Sequence, residues 1–120
     1  MRLIRSFLFA WNGFRICFAS GTNFRIHIVF ATAAVFLGGA FAITPAEWTM
    51  VIGCIVFVIA MEMLNTAIEQ LCDMVHKEIH ASIKLIKDVA AGAVLLSAIG
   101  SAVIGCIIFL PKIISIIKSF

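Results

Sequence analysis

The stretch WTMVIGCIVFVIAMEMLNTAIEQLCDMV, Trp48 to Val75, decides how the rest of this chain is read. It is long and apolar enough to cross a membrane, yet it carries Glu62, Asn65, Glu69 and Asp73 at spacings of three, four and four. At about 100° per residue these four side chains fall on one narrow polar stripe of a helix. Polar and ionisable groups are costly in hydrocarbon, so they normally face a bundle interior or a cavity and mark function. The stripe is the expected chemical centre.

Outward from it, the 120 residues are 63% hydrophobic and 12% charged, with a mean hydropathy of +1.18. Soluble domains carry about 25% charged residues, so this composition describes an integral membrane protein. A bilayer core about 30 Å thick asks for roughly 20 apolar residues per helix, and residues 26–43, 48–72 and 89–110 supply that length. Thr44-Pro45 ends the first span, because the residue before a proline avoids the helical region and Pro45 suits a helix start.

Met1 to Ser20 begins with a basic residue and is rich in apolar ones, but no small-residue cleavage site follows an unbroken apolar core, so it does not read as a signal peptide. Arg2, Arg5 and Arg15 alternate with Leu3, Phe7, Trp11, Phe14 and Phe18, the pattern of an interfacial amphipathic helix or of a simple basic anchor. Gly21-Thr22-Asn23 breaks the chain after it. The expected architecture is an all-α membrane protein: a single domain over residues 1–120, with a surface helix at 1–20 and three transmembrane helices. Small residues, among them Gly38, Gly39, Gly53, Gly92 and Gly105, allow close helix contact without forming a single GxxxG face. Three thin spans hardly shield a polar stripe from lipid, so subunits are expected to assemble around it.

Charge placement orients the spans. Seven basic residues lie before the first span or between the second and third, two follow the third, and the turn at 44–47 has none. By the positive-inside rule the N-terminus and the 73–88 loop are cytoplasmic. Cys17, Cys54, Cys72 and Cys106 lack metal-ligand spacing and read as packing residues. The chain has no P-loop, nucleophile elbow or HExxH motif.

A rise of 1.5 Å per residue from Trp48 places Glu69 roughly 30 Å along the second span, at the cytoplasmic boundary, with Glu62 about 10 Å deeper. Glu69 and Asp73 are hard oxygen donors suited to Mg²⁺, which usually takes one or two protein carboxylates and completes its shell with phosphate and water. Glu62 can accept a proton from a hydroxyl. Across the loop, His80, Lys84 and Lys87 can meet phosphate charge, with Glu78 and Asp88 nearby. Metal, base and cation are the needs of phosphoryl transfer. Plainer readings stand beside these: Asp73 as a solvated helix end, Lys77 and Lys84 as topology or headgroup contacts, His27 and His76 as interfacial residues.

Glu62-Met63-Leu64-Asn65-Thr66-Ala67-Ile68-Glu69 followed by Asp73 resembles the signature of the prokaryotic diacylglycerol kinase family. Lys87-Asp88-Val89-Ala90-Ala91-Gly92-Ala93-Val94 is similar to its second block, and the likeness runs from about Arg2 to Lys112. The resemblance implies a homotrimeric inner-membrane kinase that uses ATP and Mg²⁺ to phosphorylate diacylglycerol or undecaprenol, with active sites shared between neighbouring chains. It implies Glu62 as the general base, Glu69 as the metal ligand that also positions ATP, and Asn65 as support for the metal-phosphate arrangement. Arg2, Glu78, His80, Lys87 and Asp88 would contact nucleotide. Asn23-Phe24-Arg25-Ile26-His27 and Phe109-Leu110-Pro111-Lys112 are closer to the undecaprenol branch. Two positions depart from the pattern: Gly21, where family members commonly carry a metal-binding glutamate, and Cys72, which replaces an aliphatic residue.

Two other classes compete. Small proton-coupled multidrug transporters are of this length, but they have four spans and a lone acid in the first. A catalytically silent membrane scaffold is the other, and Gly21 keeps it open.

Overall fold

The computed structural model describes residues 1–75 and 80–120, with the backbone alone at Thr22, and it forms four helices. They are α1 (Arg2–Ser20), α2 (Thr22–Ala40), α3 (Pro45–Val75) and α4 (Ala81–Lys118). The last three are long and apolar enough to cross a membrane. His76, Lys77 and Glu78 lie outside the described residues.

α1 and α2 meet at Gly21, whose N–H donates to the Cys17 carbonyl at 2.9 Å, while the Arg25 guanidinium donates to the Ala19 carbonyl at 3.1 Å. A cation at a helix C-terminus satisfies orphan carbonyls and complements the dipole. Phe24, fully buried, meets Phe14 edge-on with ring centroids 5.1 Å apart and fixes α2 against α1. Cys17 is buried as well, whereas Leu3, Phe7 and Trp11 are exposed.

α2 stops at Ala40, three residues before the expected end of the first span at 43. The chain there closes a Schellman motif: Ile43 N–H donates to the Gly38 carbonyl at 3.2 Å and Ala42 N–H to the Gly39 carbonyl at 3.3 Å. Ala42 takes the left-handed position, with φ 50°, which glycine normally fills. Thr44 then caps α3. Its hydroxyl accepts from the Glu47 N–H at 3.2 Å and the Glu47 carboxylate accepts from the Thr44 N–H at 3.0 Å, a capping box with Pro45 in the first helical position. Gly38 admits this turn, since a Cβ on it would lie 2.7 Å from the Trp48 ring and 3.1 Å from Ile43.

α3 and α4 form the most extensive packing. The apolar core lies near the turn, where Ile43, Val51, Ile108 and Phe109 are buried together with Trp48, Ile55 and Ile104 against them. At 1.5 Å per residue α3 is about 46 Å long and α4 about 57 Å, both longer than the hydrocarbon core. Apolar length measures the part of a helix that lipid covers, which is why residues 89–110 underestimate α4. Pro111 sits inside α4, and beside it the Lys112 ammonium bonds the Glu47 carboxylate at 2.9 Å. Gly39, Gly53, Gly92, Gly100 and Gly105 have no neighbour within 4 Å of a would-be Cβ. Among the glycines of the spans, Gly38 is the one in close contact with another part of the chain.

Candidate functional site

α3 carries the stripe because its helix continues unbroken through the polar positions, from Pro45 to Val75. Glu62 and Asn65 point into the protein, 4% and 9% exposed, while Glu69 and Asp73 are exposed. The Asn65 amide donates to Glu69 Oε1 at 3.3 Å, so the two side chains act as a unit across one turn. Glu62 Oε2 and Asn65 Oδ1 are buried without a hydrogen-bond partner. An unpartnered buried polar atom costs about 1–3 kcal/mol. Two such atoms one turn apart describe a site arranged for something other than folding.

Facing Glu62 across the α2–α3 contact is His27, with Nε2 3.7 Å from Glu62 Oε2. It reads in the sequence as an interfacial residue, and the structure brings it to the stripe instead. The signal was register: His27 and Glu62 each lie seventeen residues from the Thr44-Pro45 turn, so an antiparallel hairpin puts them level. His27 also borders a cleft of about 410 Å³ between α2, α3 and α4, which runs past Ile59 and Val58 toward Gly105 and Phe109. Its lining is almost wholly apolar.

The lysines expected to meet phosphate are paired with acids. Lys87 Nζ donates to Asp73 Oδ1 at 2.7 Å, joining the start of α4 to the end of α3, and Lys84 Nζ donates to Asp88 Oδ2 at the same distance. Both lysines precede the apolar stretch of α4. Donation to the Asp73 carboxylate holds the Lys87 ammonium above the ordinary lysine range, and donation to Asp88 does the same for Lys84. His80 is the N-cap of α4, its Nδ1 accepting from the Ser82 N–H at 3.2 Å. Glu62, Asn65 and Glu69 thus share one stripe, and Asp73, Lys87, Lys84 and Asp88 form ion pairs at its end. Arg2 stands apart, exposed at the far end of α1, about 27 Å of helix from Ser20. Glu78 lies outside the described residues.

A family model described as prokaryotic diacylglycerol kinase matches residues 8–109 of this sequence, which contain the whole stripe and both ion pairs. The chain belongs to the prokaryotic diacylglycerol kinase family. It is 36% identical to the undecaprenol kinase of Bacillus subtilis over 93% of this chain and 91% of that one. It is 38% identical to a diacylglycerol kinase of Synechocystis, over 95% of this chain and 66% of the longer relative. The Escherichia coli diacylglycerol kinase is 27% identical over 89% of this chain and 88% of its own. The family and these relatives are lipid kinases, and this chain is a lipid kinase by descent.

Family membership gives the stripe a donor set to test. Among the described residues no group of three His, Cys, Asp or Glu side chains could hold a metal ion without help. Glu69 supplies one exposed carboxylate and Asn65 an unpartnered amide oxygen. That pair suits Mg²⁺ that arrives with phosphate oxygens already bound, since this ion takes few protein ligands in nucleotide sites. At Gly21, a Cβ would lie 2.9 Å from the Cys17 carbonyl oxygen and 3.2 Å from Phe24 Cβ. The α1–α2 junction is therefore packed around glycine, and any side chain there requires the backbone to shift.

Proposed function

We propose that this chain transfers the γ-phosphate of ATP to the hydroxyl of a membrane lipid, with undecaprenol as the preferred substrate. The observation that carries it is the buried Glu62 carboxylate on the stripe, whose Oε2 has no hydrogen-bond partner and which faces His27 at the border of an apolar cleft of about 410 Å³. A lipid tail suits such a cleft, and a carboxylate with a free lone pair suits the hydroxyl that the tail delivers. Undecaprenol is favoured because the likeness to the Bacillus undecaprenol kinase covers nearly the full length of both chains. Diacylglycerol is the second reading, supported by the higher identity to the Synechocystis enzyme.

In this reading Glu62 takes the hydroxyl proton as the oxygen attacks phosphorus. Glu69 and Asn65 would hold Mg²⁺, which supplies charge neutralisation for the phosphates. Lys87 and Asp88, with His80, Arg2 and Glu78, contact the nucleotide. Lys87 reaches phosphate by exchanging its bond to Asp73, a surface pair that is weak enough to open. Residues 1–120 act as one domain, with α1 lying in the membrane interface through its exposed apolar residues. The polar end of α3 faces the cytosol of a bacterial inner membrane, as the basic residues on that side favour. A homotrimer completes the site. Its support is the set of open glycines on α3 and α4 and the unpartnered oxygens, which a second chain can cover.

The test is transfer of labelled γ-phosphate from ATP by purified protein in lipid micelles, with undecaprenol and diacylglycerol supplied separately and Mg²⁺ present or absent. Magnesium-dependent phosphorylation of undecaprenol is expected. Product from diacylglycerol alone moves the enzyme to the other branch, and no product from either, with folded protein confirmed, overturns the assignment of activity.

A further inference from the structure

We propose that His27 is the positioning and proton-relay residue of this site, taking from Glu62 the proton that the carboxylate removes from the lipid hydroxyl. This rests on the reading of Glu62 as the base. A base that turns over must return to its ionised form, and Glu62 is poorly placed to do so by itself: its side chain is 6% exposed and no water-facing partner contacts Oε2. His27 answers that need by position. Nε2 is 3.7 Å from Oε2, and the imidazole is 20% exposed, so one end of the pair is buried and the other reaches outward. The next acid along the stripe, Glu69, is exposed and already tied to Asn65.

The step balances with the groups at hand. As the lipid oxygen forms its bond to the γ-phosphorus, the bond from that phosphorus to the bridging oxygen breaks and its electron pair leaves with ADP. The hydroxyl proton passes to Glu62 Oε2. With Nδ1 carrying the hydrogen in the neutral imidazole, Nε2 has a lone pair aimed at the carboxyl and accepts that proton; the partly exposed imidazolium then turns outward and releases the proton from Nε2 to water, which restores the starting Nδ1–H tautomer for the next turnover. A separation of 3.7 Å closes to hydrogen-bond length by a small side-chain rotation, as is usual when catalytic pairs tighten on substrate binding. Glutamine at position 27 can hydrogen-bond to Glu62 but cannot carry a proton through. That difference separates relay from packing.

The experiment measures kcat and the KM values for ATP and lipid in micelles for the wild type, His27→Gln, His27→Ala and Glu62→Gln, with unfolding temperatures recorded for each. Expected are a roughly ten- to hundredfold lower kcat in His27→Gln with both KM values nearly unchanged, and partial recovery of His27→Ala by added imidazole. Wild-type kcat in His27→Gln together with an inactive Glu62→Gln overturns the relay and leaves the base in place. Turnover in Glu62→Gln overturns the base and the relay with it. A His27→Ala defect that imidazole does not relieve, in protein with a wild-type unfolding temperature, also overturns the relay. If His27→Gln does not fold, the imidazole titration of His27→Ala reads the same step.

Discussion

The two ends of α3 treat an acidic residue in opposite ways. At the turn end, Glu47 bonds the Thr44 N–H through Oε1 and the Lys112 ammonium through Oε2, so both oxygens are used and α3 is tied to α4 and to the turn before it. Past the middle of the helix, on the way to the other end, Glu62 is more deeply buried, yet its Oε2 has no hydrogen-bond partner. The apolar core and the close approach at Gly38 also lie toward the turn. The difference teaches where stability and chemistry reside. The turn end holds the helices in register, and the stretch around Glu62 keeps two buried polar atoms without hydrogen-bond partners.

The sharpest way to break this contrast is Glu62→Gln. Phosphate transfer is expected to fall by about 10²- to 10⁴-fold while Mg²⁺-ATP binding and the unfolding temperature stay near wild type; an active variant in the transfer assay would remove the base from the loop end. Gly38→Ala addresses the other end. It forces a methyl against the Trp48 ring and is expected to destabilise the protein by about 1–3 kcal/mol, read as a lower unfolding temperature in micelles, with kcat unchanged in the protein that remains folded. Glu69→Ala should weaken Mg²⁺-dependent ATP binding by about tenfold or more and leave stability alone, and calorimetric titration showing unchanged affinity would detach Glu69 from the metal. The smallest effect is expected from Ala42→Gly, which relieves the left-handed φ of 50° and should raise stability by about 1 kcal/mol without touching turnover.

Much of the site was legible before any fold was known, because a helix repeats every 3.6 residues and four polar residues at spacings of three and four must share a face. The pairing of Lys87 with Asp73 was less so. The sequence reading assigned the lysine to phosphate and left Asp73 open, and the two meet only because the start of α4 packs beside the end of α3. His27 was read as interfacial because a lone histidine at the start of an apolar span has no local pattern to mark it. Its partner lies on a different helix, and the link is the common distance of both from the turn.

The sequence by itself determined the class, the helix order and the stripe, since composition, apolar length and helical periodicity are local properties that each residue carries wherever the chain goes. It also determined the family, through an eight-residue signature and a second block. Tertiary structure alone decided that α2 ends at Ala40, that Gly38 makes room for Trp48, that Lys112 closes on Glu47 and that His27 faces Glu62. Each of these depends on the approach of residues far apart in the chain, or on how a turn packs against its neighbour, and such contacts are set by helix packing geometry rather than by any one segment's pattern.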